Sequence, residues 1–122
     1  MGQDVIRLLD SLSIDRAHLI GYSMGAQIAV QLLAEHQDRF NSGVLGGASG
    51  RWEWSAKDEQ LAETEASEME QRMLRSMLLR LAPPGTRPTE EQLQEESARR
   101  LQGLDTDALA AVRRSMRETV VP

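Results

Sequence analysis

The stretch Ala17-His18-Leu19-Ile20-Gly21-Tyr22-Ser23-Met24-Gly25-Ala26 decides how this chain is read. Ala17 to Ile20 has the apolar make-up of a short buried strand, and Ala26 to Glu35 is an apolar, helix-forming run. Between them lies the pattern G-x-S-x-G, with Ser23 at the apex of a sharp strand-to-helix turn. The turn is predicted to bring the residues two before and two after the serine into near contact. Both should therefore be small, and Gly21 and Gly25 meet that need. Such a turn lifts the Ser23 hydroxyl clear of the sheet. It also sets the Met24 backbone N–H at the positive end of the following helix, aimed at any negative charge that develops there.

The bulk composition narrows the function classes. The chain has 122 residues, which suits one domain or a piece of a larger one, and its 40% apolar content is that of a globular protein. A net charge of −5 with no long basic run argues against nucleic acid as a partner. There is no cysteine, which excludes disulfides, thiolate chemistry and cysteine-based metal sites. Met1 to Ile6 lacks the basic start and apolar stretch of a signal peptide, and no apolar run approaches membrane-spanning length. A soluble cytoplasmic protein that does not engage a membrane is the expectation.

Working outward from the turn, Val5, Leu8, Leu9 and Leu12 fall on one face of a helix predicted over about 4–12. Asp15 and Arg16 turn the chain into the strand at 17–22. After the turn, Ile28, Val30, Leu32 and Leu33 leave only a thin polar stripe of Gln27, Gln31 and Glu35, so this helix should be buried against more than one neighbour. Phe40 to Ala48 holds a second apolar strand centred on Val44 and Leu45. Strand, crossover helix and strand make a parallel βαβ unit. The glycines of Gly46-Gly47-Ala48-Ser49-Gly50 match neither nucleotide-binding spacing, and a flexible strand exit is the preferred reading over a phosphate loop.

From Trp52 the character changes to helical. Ser55 with Asp58 forms a helix start, and a single helix is predicted from 56 to 82, stopped by Pro83-Pro84-Gly85. Its early, acidic half reads as a solvated or mobile entry rather than a metal site. Met69, Met73, Met77 and Leu81 form an apolar stripe at four-residue spacing, read as packing, with an apolar substrate lining as the competing idea. Thr89 with Gln92 opens a further helix running to Gly103. A last helix covers about 106–118, capped by Asp105 or Thr106, with Leu109, Val112 and Met116 inward.

Around Gly21-Tyr22-Ser23-Met24-Gly25, with Ala17-His18-Leu19-Ile20 before and Ala26-Gln27-Ile28-Ala29 after, the sequence resembles the α/β-hydrolase superfamily. The likeness implies an incomplete α/β-hydrolase core over 1–50, with two parallel strands and flanking helices, and an all-helical, cap-like region over 51–122. It implies Ser23 as nucleophile, the Met24 N–H as one of two oxyanion donors, a small-molecule acyl substrate, and neither metal nor organic cofactor. A serine disfavours the branch of the family that uses an aspartate nucleophile. The family's acid and histidine follow the serine in chain order, on loops after later strands. The second oxyanion donor lies on an earlier loop. The expectation is that this chain lacks all three.

The histidines present cannot replace the missing one. His36 is thirteen residues along the helix from Ser23, roughly 20 Å away, and His18 is roughly 16 Å back along the strand. A general base must come within about 3 Å of the hydroxyl. Two functions are therefore open: a serine-dependent acyl hydrolase that is inactive as this chain alone, or a non-catalytic interaction module that keeps the turn as a scaffold. Two parallel strands expose both sheet edges, so a homodimer or a complementing chain is expected.

Overall fold

The computed structural model describes residues 1–47 and 53–118. Ala48 to Trp52, which include the end of the glycine-rich strand exit, and Thr119 to Pro122 lie outside the described residues. The first compact unit contains helix α1 (Gly2–Ser11), strand β1 (Ala17–Tyr22), helix α2 (Met24–Glu35), a 3-10 turn (Gln37–Arg39) and strand β2 (Phe40–Gly46). β1 and β2 pair in parallel, with Ile20 opposite Val44 and Tyr22 opposite Gly46. The register shifts once, between Ala17 and His18, which leaves Asn41 as the extra residue.

The core of this unit is Ile6, Leu9, Leu32 and Phe40, with Val5, Leu19, Ile28 and Leu33 beside it. α2 packs against α1 and both strands, as its nearly all-round apolar surface requires. It approaches β2 closely because a Cβ on Gly43 would stand 2.8 Å from Leu33 Cδ1. α1 is rotated from its predicted face. Gly2, Ile6 and Leu9 are buried, while Leu8 and Leu12 are exposed. Gly2 faces Leu32, where a Cβ would meet it at an ordinary 3.5 Å, and the buried face is the 2-6-9 line rather than the more apolar 5-8-12 line.

The strands also differ from the expected buried pair. In β1, Ala17, Leu19 and Gly21 turn inward while His18, Ile20 and Tyr22 turn outward; Ile20 and Tyr22 are 79% and 78% exposed. In β2 only Phe40 is fully buried, and Val44 and Leu45 are open. α2 covers one face of the sheet, and within this unit His18, Ile20, Tyr22 and Val44 leave the other face open.

The second unit, Trp54–Glu118, is all helical: α3 (Ala56–Glu70), α4 (Arg75–Leu81), α5 (Glu90–Leu101), α6 (Thr106–Ser115) and a terminal 3-10 turn (Met116–Glu118). Both predicted capping boxes form, Ser55 with Asp58 and Thr89 with Gln92, and the Asp105 side chain caps α6. The single helix predicted over 56–82 is broken. Arg72 adopts φ 58°, its N–H donates to the Met69 carbonyl at 2.9 Å, and Met73 N–H donates to the Glu68 carbonyl at 2.8 Å. That double bond pattern is a Schellman stop. Beyond it, long-range side chains hold the start of α4. Fully buried Ser97 accepts from Leu74 N–H at 3.0 Å, and the Glu68 carboxylate accepts from Ser76 N–H at 2.7 Å.

The break resets the helical phase, so the four-residue methionine stripe does not survive as one face. Met69, Leu74 and Leu78 are buried together with Ala66, Leu93, Leu101 and Ala110, Met73 is half-buried, and Leu81 lies exposed. On α6 the deepest residues are Thr106 and Ala110; Leu109, Val112 and Met116 are half-buried.

The acidic half of α3 corrects the solvated-face reading. Glu65 is 1% exposed. It pairs with Arg80 at 2.8 Å and with Arg113 at 2.6 Å, and Arg113 in turn lies over the Trp54 ring. Burial pushes the Glu65 carboxyl up, but the two arginines outweigh it and hold it below its ordinary range. Arg114 binds both Glu63 and Glu70. The carboxylates of α3 thus serve as anchors for α4 and α6.

Candidate active site

The turn at Ser23 takes the shape its sequence predicts. β1 ends at Tyr22 and α2 begins at Met24, so the entire reversal falls on one residue. Ser23 carries it at φ 52°, ψ −117°, a conformation that L-residues hold only under constraint from their surroundings. Three features supply that constraint. Ser23 N–H donates to the Gly46 carbonyl at 2.8 Å, extending the β1–β2 ladder one residue past the strand. The Ser23 carbonyl accepts from Ala26 N–H at 3.0 Å, closing the first turn of α2. Gly21 lies directly beneath that turn, where a Cβ would fall 2.7 Å from the Gly25 carbonyl carbon and 2.8 Å from Ala26 Cα.

The two glycines do not play equal parts. A Cβ at Gly25 would meet nothing within 4 Å, so the close approach comes from the bare Cα of Gly21 against the backbone of residues 25 and 26. Only the first glycine is forced by space. The sequence gives no sign of a further participant, Gly46, because the bond to its carbonyl depends on how β2 registers against β1. Gly47 follows at φ 66°, where a Cβ would stand 3.2 Å from the Tyr22 ring. The strand exit can therefore pass closely over the turn.

The Ser23 side chain is exposed, and no described residue hydrogen-bonds its hydroxyl. Met24, at the first position of α2, has an N–H with no carbonyl four residues back within the helix, and it donates to no other described residue. A hydroxyl and a backbone donor thus stand next to each other at the positive end of a helix, which suits an anion or an oxyanion.

Neither histidine joins them. His18 is exposed on the outward face of β1, where Nδ1 shares a 2.7 Å hydrogen bond with Ser42 Oγ across the strands. His36 is half-buried at the C-terminal end of α2, the end opposite Ser23. Among the described residues no cluster of three or more His, Asp and Glu side chains is arranged to hold a metal. No helix among them is long and apolar enough to cross a membrane.

A parallel strand, a one-residue reversal carrying an exposed serine, and a helix packed back on the sheet define the class of folds in which a serine is raised above the strand ends. The family model described as the alpha/beta hydrolase fold matches residues 1–113, and the chain belongs to that family. It is similar to a Caulobacter sp. (strain K31) protein assigned as the carbamate hydrolase RutD, with 36% identity over 45 residues, which are 37% of this chain and 17% of the relative. Among solved structures it resembles a hydrolase from Pseudomonas aeruginosa PA01, with a TM-score of 0.58 at 25% identity, covering 98% of this chain and 45% of that one. The chain thus spans less than half the length of these relatives.

Proposed function

We propose that this chain carries the nucleophile segment of a serine-dependent hydrolase acting on an ester, amide or related acyl bond. The observation that carries the reading is the constrained, exposed Ser23 at φ 52° directly before α2. Ser23 Oγ attacks the acyl carbon as a base removes its proton, and the Met24 N–H donates to the oxyanion that forms. The helical unit serves as a cap. Likeness to a protein assigned as a carbamate hydrolase fits an acyl carbon as the point of attack.

Neither histidine supplies the base on this reading, since His18 lies down β1 beside Ser42 and His36 lies at the far end of α2. A site without its triad partners retains roughly 10³–10⁴-fold over water, and a missing second oxyanion donor removes roughly 10²–10³-fold of that. The purified chain should therefore hydrolyse p-nitrophenyl acetate no faster than its Ser23→Ala variant. Robust turnover lost on Ser23→Ala would show that a base is in reach after all. A second reading, a non-catalytic module that retains the turn as a scaffold, is favoured by the open apolar side chains of Ile20, Tyr22, Val44 and Leu45, which suit a docking partner.

A further inference from the structure

The helical unit contains a cleft of about 530 Å³ between α4, the proline-rich connection and α5. That size falls within the roughly 300–1,000 Å³ typical of small-ligand sites. Its floor is Leu78 and Leu93, both buried, and its walls are Leu81, Pro83 and Pro88. Leu81 ends α4 with 59% of its surface exposed, leaving a large apolar side chain bare along the cleft. The walls are held in shape before anything binds. Thr86 Oγ1 donates to the Pro83 carbonyl at 2.6 Å, and the Thr89–Gln92 capping box fixes the start of α5.

The charged end of the cleft is arranged for a planar anion. Glu96 is held between Arg99 and Arg100, whose hydrogen bonds keep its carboxyl down at about 2, so it is ionised at any ordinary pH. Arg99 gives Nε and Nη2 to Glu96, but Arg100 gives only Nε, at 2.5 Å. No described residue accepts from the terminal nitrogens of Arg100 or from Nη1 of Arg99. Glu95 also lines the cleft, so the local charge is balanced and does not draw anions in general. What it offers is a guanidinium edge with free donors, the geometry that takes a carboxylate with two parallel bonds.

We infer that this cleft binds a linear alkyl carboxylate, the chain lying along Leu78, Leu81 and Leu93 and the head group on Arg100. The inference does not depend on the reaction proposed for Ser23, because every residue it uses belongs to the helical unit.

Isothermal titration of the full chain with decanoate tests it, with acetate and decyltrimethylammonium as controls. Saturable binding of one decanoate per chain is expected, with neither control binding. Arg100→Gln and Leu81→Ser, both changes at solvent-reaching positions, should each weaken decanoate by about tenfold or more. Glu95→Gln should tighten it. Amide chemical shifts should move over residues 78–100 and stay fixed over 17–25. No saturable binding, equal binding of the cation, an affinity unchanged in either weakening variant, or shifts centred on 17–25 would overturn the inference.

Discussion

At the scale of single residues, the turn rests on an asymmetry that the five-letter motif conceals. Gly21 is required because its missing Cβ is occupied by the backbone of Gly25 and Ala26; Gly25 faces open space. Gly21→Ala should therefore push the first turn of α2 off the sheet and destabilise the α/β unit by about 1–3 kcal/mol or more. Gly25→Ala, inside a helix with room for a methyl group, should be neutral or stabilising by up to about 1 kcal/mol. Amide hydrogen exchange of β1 and α2 in the two variants reads both effects, and equal losses in the two would contradict the geometry. The position and backbone shape of Ser23 were legible from sequence because strand, glycine and helix signals lie within ten residues of it. The Gly46 carbonyl that takes its N–H was not, because that bond exists only once β2 is in register.

At the scale of elements, local signals located the helix starts well and the helix faces poorly. Ser55, Thr89 and Asp105 cap the helices their spacing announces, since a cap is made within three residues of chain. The division of 56–82 into α3 and α4 was hidden. Its cause is Arg72 in a left-handed conformation, backed by Ser97 from 23 residues further along and by the Glu68 carboxylate. The acidity of α3 misled for a related reason, because the partners of Glu65 are Arg80 and Arg113, 15 and 48 residues away.

That buried trio gives the helical unit a pH dependence. The folded Glu65 carboxyl titrates below its ordinary value of 4.5. Its contribution is therefore complete above that value and is lost as pH falls through the lower folded value. The thermal stability of the helical unit should accordingly fall below about pH 4.5. Glu65→Gln should flatten this part of the profile and, by leaving Arg113 without its charge partner, destabilise the unit at neutral pH. The loss should fall at the lower end of the about 3–5 kcal/mol for a broken buried pair, since Arg80 reaches solvent. An unchanged acid limb in the variant would assign the pH dependence to other carboxylates.

At the scale of the whole molecule, the α/β unit has one uncovered sheet face and unpaired strand edges among its described residues. Ile20, Tyr22 and Val44 stand open on it, and Leu45, on the opposite face with Gly21, is exposed as well. A two-stranded sheet of this kind needs further strands or a covering surface to be stable. Size-exclusion chromatography of the purified chain should give a dimer, a larger species or aggregation, resolved by a complementing chain; a compact monomer would show that the sheet is self-sufficient. The family was legible because the turn is local and its context specific. The open sheet face was missed because burial of Ile20 or Val44 depends on neighbours that no periodicity can count.

The central claim is that Ser23 is held in place as a nucleophile, and covalent labelling tests it most directly. A fluorophosphonate probe applied to an extract of cells expressing the chain together with a complementing segment that carries the family's acid and histidine, followed by peptide mass spectrometry, should place the phosphonyl adduct on Ser23 and lose it in Ser23→Ala. An extract in which Ser23 stays unmodified, or in which the adduct falls on another serine such as Ser42, would contradict the account and leave the turn as a scaffold alone.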